Sequence, residues 1–220
     1  MKHFNKGFLE FFIELAANNN KEWFDRNKPR YVKDVKQPFE AFTTDLIERM
    51  KKVDDIGNPK ASECIFRINK DIRFSKDKTP YKTQMSAAVS KGGKKDMVTP
   101  GLYVELGPEH LGIYTGMYMP EKDLLNSVRS RIASNMKKFE GIITASDFKK
   151  TYGDVKGEKS KILPPELKEK AKVQPVIFNK QFYLMHTHDP EIILSDKLLD
   201  YIMKCYKVAE PFNTFLKSAI

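Results

Sequence analysis

The chain has 220 residues, 40% of them hydrophobic and 31% charged, a balance that excludes collagen-like, coiled-coil and intrinsically disordered chains. Its net charge of +10 is unevenly spread, with ten basic and three acidic side chains in residues 60–95 and nearly neutral flanks. So concentrated an excess attracts anions such as phosphates, nucleic acid or anionic headgroups. In chain order, Phe8, Leu9, Phe11, Phe12 and Leu15 recur at spacings of three and four and predict an amphipathic helix. Asn18-Asn19-Asn20 ends it, and Asn20 is placed to cap a short helix through Lys21-Glu22-Trp23-Phe24. Tyr31, Val35, Phe39, Phe42, Leu46 and Met50 predict a long helix with a kink or break at Pro38.

Strand signals follow. Cys64-Ile65-Phe66-Arg67-Ile68 and Thr83 to Ser90 are rich in residues that favour extended chain. Leu102 to Leu106 and Leu111 to Thr115 flank Gly107-Pro108-Glu109-His110 and predict a β-hairpin. Segments 69–82 and 91–100 are expected as loops. A helix is expected from about Glu121, with Leu124, Leu125, Val128, Ile132 and Met136 on its apolar stripe. Residues 147–175 are polar and broken by glycine and proline, so a surface loop is expected there. Val176-Ile177-Phe178 and Phe182 to Met185 give late strands, and Ser195 opens a last helix through Leu198, Leu199, Ile202 and Tyr206. The order predicts an α+β fold: an antiparallel sheet, hairpin included, covered by N-terminal and C-terminal helices. No linker is visible, so residues 1–220 are read as a single domain.

The most apolar stretch, Phe8 to Ala17, is interrupted by Glu10 and Glu14 and is too short to span a bilayer. The N-terminus has no apolar core of a signal peptide. Cys64 and Cys205 lie far apart and outside any C-x-x-C, as buried free thiols in a reducing compartment would. The expectation is a cytoplasmic protein without a membrane partner.

The stretch from Phe66 to Thr83 interleaves apolar and basic residues. Run as extended chain, it puts Phe66, Ile68, Ile72 and Phe74 on one face, with a bend near Asn69-Lys70, and Arg67, Asp71 and Arg73 on the other. Two guanidiniums side by side capture a phosphate or carboxylate in planar, bidentate fashion. Lys76, Lys78 and Lys82 then supply attraction and Asp71 orients an arginine. The competing reading is that Arg67, Asp71 and Arg73 form an ion-pair network that only holds the loop. If chemistry takes place, Asp71 or Asp77 is the candidate general base and Tyr81 the candidate proton donor.

Four blocks of sequence carry a resemblance to a known family. They are Asn18 to Asp25 with Tyr31; Phe66-Arg67-Ile68 and Asp71 through Lys82; Pro100-Gly101-Leu102-Tyr103; and Gly116 through Pro120 with Leu124 and Arg129. In them the chain resembles, over nearly its whole length, the bacterial, fungal and plant proteins called domain of unknown function 2461. The resemblance marks Arg67, Asp71, Arg73, Ser75, Lys76, Asp77, Lys78, Tyr81 and Lys82 as signature positions. It implies no activity, because the family looks to be without an established one.

Other features are weaker. His186 and His188 would face one way on a strand, but no third metal ligand is spaced to join them, and no metal is expected. Trp23 and Phe24 fit core anchors better than base-stacking platforms. Gly92-Gly93 lacks the context of a phosphate-binding loop, and no cofactor motif is present. Asn18 to Asn20, Gly116 and Arg129 are candidates for lining the same cleft as the basic segment. The expected function is binding of an anionic small molecule at Arg67, Asp71, Arg73, Lys76, Lys78 and Lys82. The alternatives are a nucleic-acid module that also uses Lys91, Lys94 and Lys95, or a scaffold whose basic motif is structural. Oligomeric state is left open.

Overall fold

Helix α1 (Lys6–Ala17) forms because Phe8, Phe11, Phe12 and Leu15 fall on one face and bury it completely. The structure, a computed structural model, describes residues 1–220. Asn20 caps α2 (Lys21–Arg26) as the sequence predicts, its Oδ1 accepting from the Trp23 backbone N–H at 2.9 Å.

The break expected at Pro38 takes another form. A short turn, α3 (Lys28–Arg30), runs into a π-helical stretch, Tyr31–Lys36, and then into α4 (Gln37–Met50). The Gln37 N–H bonds to the Val32 carbonyl, five residues back. This widened turn brings Pro38 into the first turn of α4, where an absent N–H leaves no gap in the ladder. Phe39, Phe42, Leu46 and Met50 of α4 are fully buried, and Phe4 packs between Phe8 at 4.4 Å and Phe42 at 5.4 Å.

The strand expected at 64–68 is not formed. Ala61–Cys64 closes as a single helical turn, α5, and only Ile65 pairs with the sheet region, as an isolated bridge to Ala87. The regular strands are β1 (Met85–Val89), β2 (Gly101–Leu106), β3 (Leu111–Met117) and β4 (Phe182–His188). They form one antiparallel sheet in the order β1-β2-β3-β4, with the predicted hairpin between β2 and β3. Every residue of β1 is buried, whereas β2 alternates, with Leu102, Val104 and Leu106 in the core and Tyr103 and Glu105 partly exposed.

Helix α6 (Lys122–Ser134) lies where expected, followed by α7 (Met136–Ile143). The region expected as a loop is more ordered, containing α8 (Ser146–Tyr152) and α9 (Lys168–Val173). Residues Pro175–Phe178 form a 3₁₀ turn instead of a strand, because Gln174 Oε1 accepts from the Val176 N–H at 3.2 Å and curls the chain. The last helix, α10, spans Leu198–Lys217. With helices at both termini and one antiparallel sheet, the fold is α+β.

The chain divides into two compact units. The first takes in residues 1–94, 103–113 and 187–203. The second takes in 95–102, 114–186 and 204–220. In the second unit, Asn213 of α10 donates to Thr115 Oγ1 of β3 at 2.8 Å, and Thr115 donates to the Gly101 carbonyl. No helix is long and apolar enough to cross a membrane.

Candidate functional site

The basic segment belongs to the first unit. Its loop is closed at the base by two backbone hydrogen bonds, Lys70 N–H to Pro80 O at 2.9 Å and Lys82 N–H to Ile68 O at 2.8 Å. Between them Asn69 and Tyr81 form an antiparallel bridge. Asn19, from the turn after α1, grips the same point from the other side. Its Nδ2 donates to the Tyr81 carbonyl at 2.9 Å, and its Oδ1 accepts from the Tyr81 N–H at 3.1 Å. Asn19 thus stands in for a neighbouring strand. The Phe24 ring stacks on Tyr81 at 4.1 Å and 17°. Two blocks of the signature, the asparagine run and the Pro80-Tyr81 end of the basic motif, therefore meet.

Beyond the base, the loop spends its charges on itself. Lys70 Nζ donates to Asp77 Oδ2 at 2.8 Å and to Thr79 Oγ1 at 2.6 Å. Asp77 also accepts from the Thr79 N–H at 2.9 Å. Arg73 is bidentate on Asp71, through Nε at 2.9 Å and Nη2 at 2.6 Å. Lys78 Nζ caps the Ile72 carbonyl at 2.9 Å. The Arg73 guanidinium holds the Asp71 carboxyl down at about 2. Lys70, followed by the Thr79 hydrogen bonds, holds Asp77 well below the usual carboxylate range. Both are stable anions and weak bases near neutral pH. Tyr81 is buried against Phe24, and burial pushes its hydroxyl above the ordinary phenol value.

The shared face expected for Phe66, Ile68, Ile72 and Phe74 holds only in part. Ile68 is buried, Phe66 and Ile72 are half-buried, and Phe74 is 95% exposed beside the Arg73 guanidinium. The Asp71–Arg73 and Lys78–Ile72 contacts bend the chain, so a period of two no longer applies.

Of the proposed anion-binding residues, Arg67, Lys76 and Lys82 remain without an ion pair or side-chain hydrogen bond. Arg67 and Lys82 sit at the root of the loop, near enough that the Arg67 charge bears on Lys82. Lys82 Nζ lies 5.3 Å from the centre of the Phe66 ring, and Phe66 meets Tyr103 edge-on at 5.7 Å. Burial is the main influence on Lys82 and lowers its affinity for a proton; Glu105 opposes this, and the Arg67 charge adds to it. Glu105 accepts from the Tyr103 hydroxyl at 2.7 Å and lies 3.8 Å from His110 Nε2. A shallow depression lined by Thr83, Gln84, Glu105, Gly107 and His110 adjoins this cluster.

Sequence reasoning passed over Tyr103, Glu105 and His110. The signal was there in part, since Tyr103 and Glu105 occupy alternate positions on the partly exposed face of a predicted strand.

The remaining candidates are distributed otherwise. Lys94 Nζ is bound to the Ser62 and Ile65 carbonyls, each at 2.8 Å, and Lys91 lies 3.7 Å from Asp55. Trp23 packs on Phe11 at 5.5 Å. His186 Nδ1 is 2.7 Å from the Thr151 carbonyl, and His188 packs on Tyr201 at 4.6 Å. Cys64 and Cys205 are buried and form no disulfide, and burial pushes the Cys64 thiol up to about 11. Of the cleft candidates, Asn19 reaches the basic segment, while Gly116 and Arg129 belong to the second unit and have partners there.

The comparison with curated proteins gave no match, and neither did that with solved structures. A family model does match, over residues 7–215, and its description is "Conserved hypothetical protein (DUF2461)". The loop latched by Asn19 and Tyr81 and rooted at Arg67 and Lys82 thus lies inside a match covering nearly the whole chain, and the protein belongs to the family of domain of unknown function 2461.

Proposed function

We propose that the protein binds a ligand carrying a phosphate or carboxylate group at Arg67 and Lys82. One observation carries this reading. Two cations are held near each other, one of them half-buried, and neither has a carboxylate at bonding distance. Burial is the largest cost to the Lys82 charge, and Arg67 adds to it while Glu105 opposes it; an anion seated against both cations offsets that cost. Phe66 and Tyr103 offer an aromatic floor, and Glu105 with the Tyr103 hydroxyl offers polar contacts for the rest of the ligand. Arg73 plays a different part from the one its sequence position suggests, since its Nε and Nη2 are committed to Asp71. Lys76 adds long-range attraction. Two buried cysteines outside any disulfide fit a reducing compartment, in keeping with a cytoplasmic protein.

A second reading, a nucleic-acid interface, is favoured by Phe74. An almost fully exposed ring on a braced basic loop can stack on a base while nearby cations meet the phosphates. The commitment of Lys94 to backbone carbonyls counts against the broader basic footprint that this reading requires.

The test is a thermal-shift screen with nucleotides, sugar phosphates, organic acids and oligonucleotides at low and high salt. A salt-resistant shift from one small anion, lost in Arg67→Ala, supports the first reading. A shift from oligonucleotides alone that collapses in high salt and is lost in Phe74→Ala supports the second. No shift from any of them overturns both.

A further inference from the structure

Arg129 of α6 is 4% exposed, yet no carboxylate answers its charge. Its Nη2 donates to Ser160 Oγ at 2.6 Å, to the Asn179 carbonyl at 3.1 Å and to the Phe178 carbonyl at 3.4 Å. Three neutral acceptors crowd one nitrogen, while Nε is enclosed without a partner and Nη1 makes no hydrogen bond and is not enclosed. Burial alone acts on the guanidinium and disfavours its charged form. An arginine does not escape that cost by giving up its proton, and buried charges ordinarily carry a counter-charge. A bracing role accounts for Nη2 but leaves Nε and Nη1 unexplained.

The Ser160 hydroxyl beside it is held in a fixed place. Residues 156–160 run against 178–183, with Lys156 N–H to Tyr183 O at 2.8 Å, Lys180 N–H to Glu158 O at 2.7 Å and Ser160 N–H to Phe178 O at 2.7 Å. Gly157 makes this approach possible. Its φ is +151°, and a Cβ there would lie 2.1 Å from the Gln181 carbonyl oxygen. Ser160 Oγ accepts from Arg129, and its own hydrogen is committed to nothing. Arg129 and Ser160 thus offer donors that no carboxylate takes, the nearby Glu158 being paired with Lys180. Lys159 and Lys161, exposed and unpaired, flank Ser160 in the chain, and Lys180, which pairs with Glu158 at 3.5 Å, follows Asn179.

We propose that Arg129 and Ser160 form a second anion site, separate from the one at Arg67 and Lys82. It takes a small oxyanion, a phosphoryl or carboxylate group. The oxyanion accepts from Arg129 Nη1 and from the Ser160 hydroxyl, and Lys159 and Lys161 draw it in.

The test is calorimetric titration of the full chain with inorganic phosphate and, separately, with acetate, at constant ionic strength. Saturable binding of either is expected, and whichever saturates assigns the class. Binding should persist in the double variant Arg67→Ala/Lys82→Ala, fall about tenfold in Ser160→Ala as a hydrogen bond to a charged group is lost, and fall several-fold in Lys159→Ala/Lys161→Ala. Arg129→Lys should abolish it; if that variant does not fold, Ser160→Ala and the exposed lysine pair decide. Absence of saturable binding of either anion overturns the proposal. So does full binding in both Ser160→Ala and Lys159→Ala/Lys161→Ala. Loss of binding in Arg67→Ala/Lys82→Ala overturns it too, by moving the anion to the first site.

Discussion

The base and the tip of the basic loop are built on different physics. At the base the contacts are largely neutral and sheltered: the Phe24–Tyr81 stack, the two hydrogen bonds from Asn19 and the short ladder from residue 68 to residue 82. At the tip they are ionic and exposed, with Arg73 on Asp71 and Lys70 on Asp77. Exposed pairs contribute little to stability because water screens them. The base therefore anchors the loop and the tip shapes it. Arg67, at the root just outside the base, belongs to neither set of contacts and is the residue the proposed anion site relies on.

Four measurements break or sharpen that contrast. Phe24→Ala removes a buried ring at the base and should cost about 3–5 kcal/mol, read as a lower urea midpoint. A loss under 1 kcal/mol would move the anchor elsewhere. Asn19→Ala leaves the Tyr81 N–H and carbonyl without their side-chain partner and should cost about 1–3 kcal/mol. Hydrogen exchange at the Tyr81 and Lys82 amides should quicken before the rest of the unit opens.

Arg67→Ala should change stability by less than about 0.5 kcal/mol, as surface substitutions usually do, while reducing anion binding at least tenfold. A large loss of stability would instead make Arg67 part of the anchor. The smallest effect is on pH. Asp71 has a depressed pKa, so its stabilising effect is present above the ordinary aspartate range and is lost as pH falls from about 4 towards about 2. Carbon-detected titration of Asp71 should give a midpoint near 2, and Arg73→Gln should raise it towards the ordinary range, the residue-73 N–H and Arg67 still holding it somewhat down. Global stability should hardly move in that variant.

Much of the fold was legible because its signals are local. The periodic phenylalanines of α1, the Asn20 cap and the hairpin at residues 107–110 each lie within a few residues of their partners. The errors came from contacts that periodicity does not show, most of them local side-chain bonds and one of them long-range. Cys64, the first residue of the expected strand, instead ends a helical turn in which the Glu63 carboxylate accepts from the Lys60 N–H, and Lys94, some thirty residues on, binds the carbonyls of Ser62 and Ile65, so only Ile65 is left to pair, with Ala87.

The site shows the same limit. Composition located the basic segment, and the carboxylates that occupy the cations of its loop lie within it, at Asp71 and Asp77. Which cations they take depends on how the chain bends, and alternation alone does not reveal the bend. Nor does it say that Tyr103 and Glu105 come up beside Phe66 and Lys82. Arg129 was visible as a signature residue, but its burial among carbonyls from residues 178 and 179 was not.

The buried thiol just before the loop has a practical consequence. With its pKa at about 11, Cys64 is thiolate in roughly one molecule in ten thousand at pH 7. A thiol-labelling reagent must wait for α5 to open before it can react. Because α5 leads directly into Phe66 and Arg67, the labelling rate of Cys64 in a Cys205→Ser background times the opening of the site's root. If the proposed anion closes the root it should slow that reaction, and the labelling rate would then report occupancy without an attached probe.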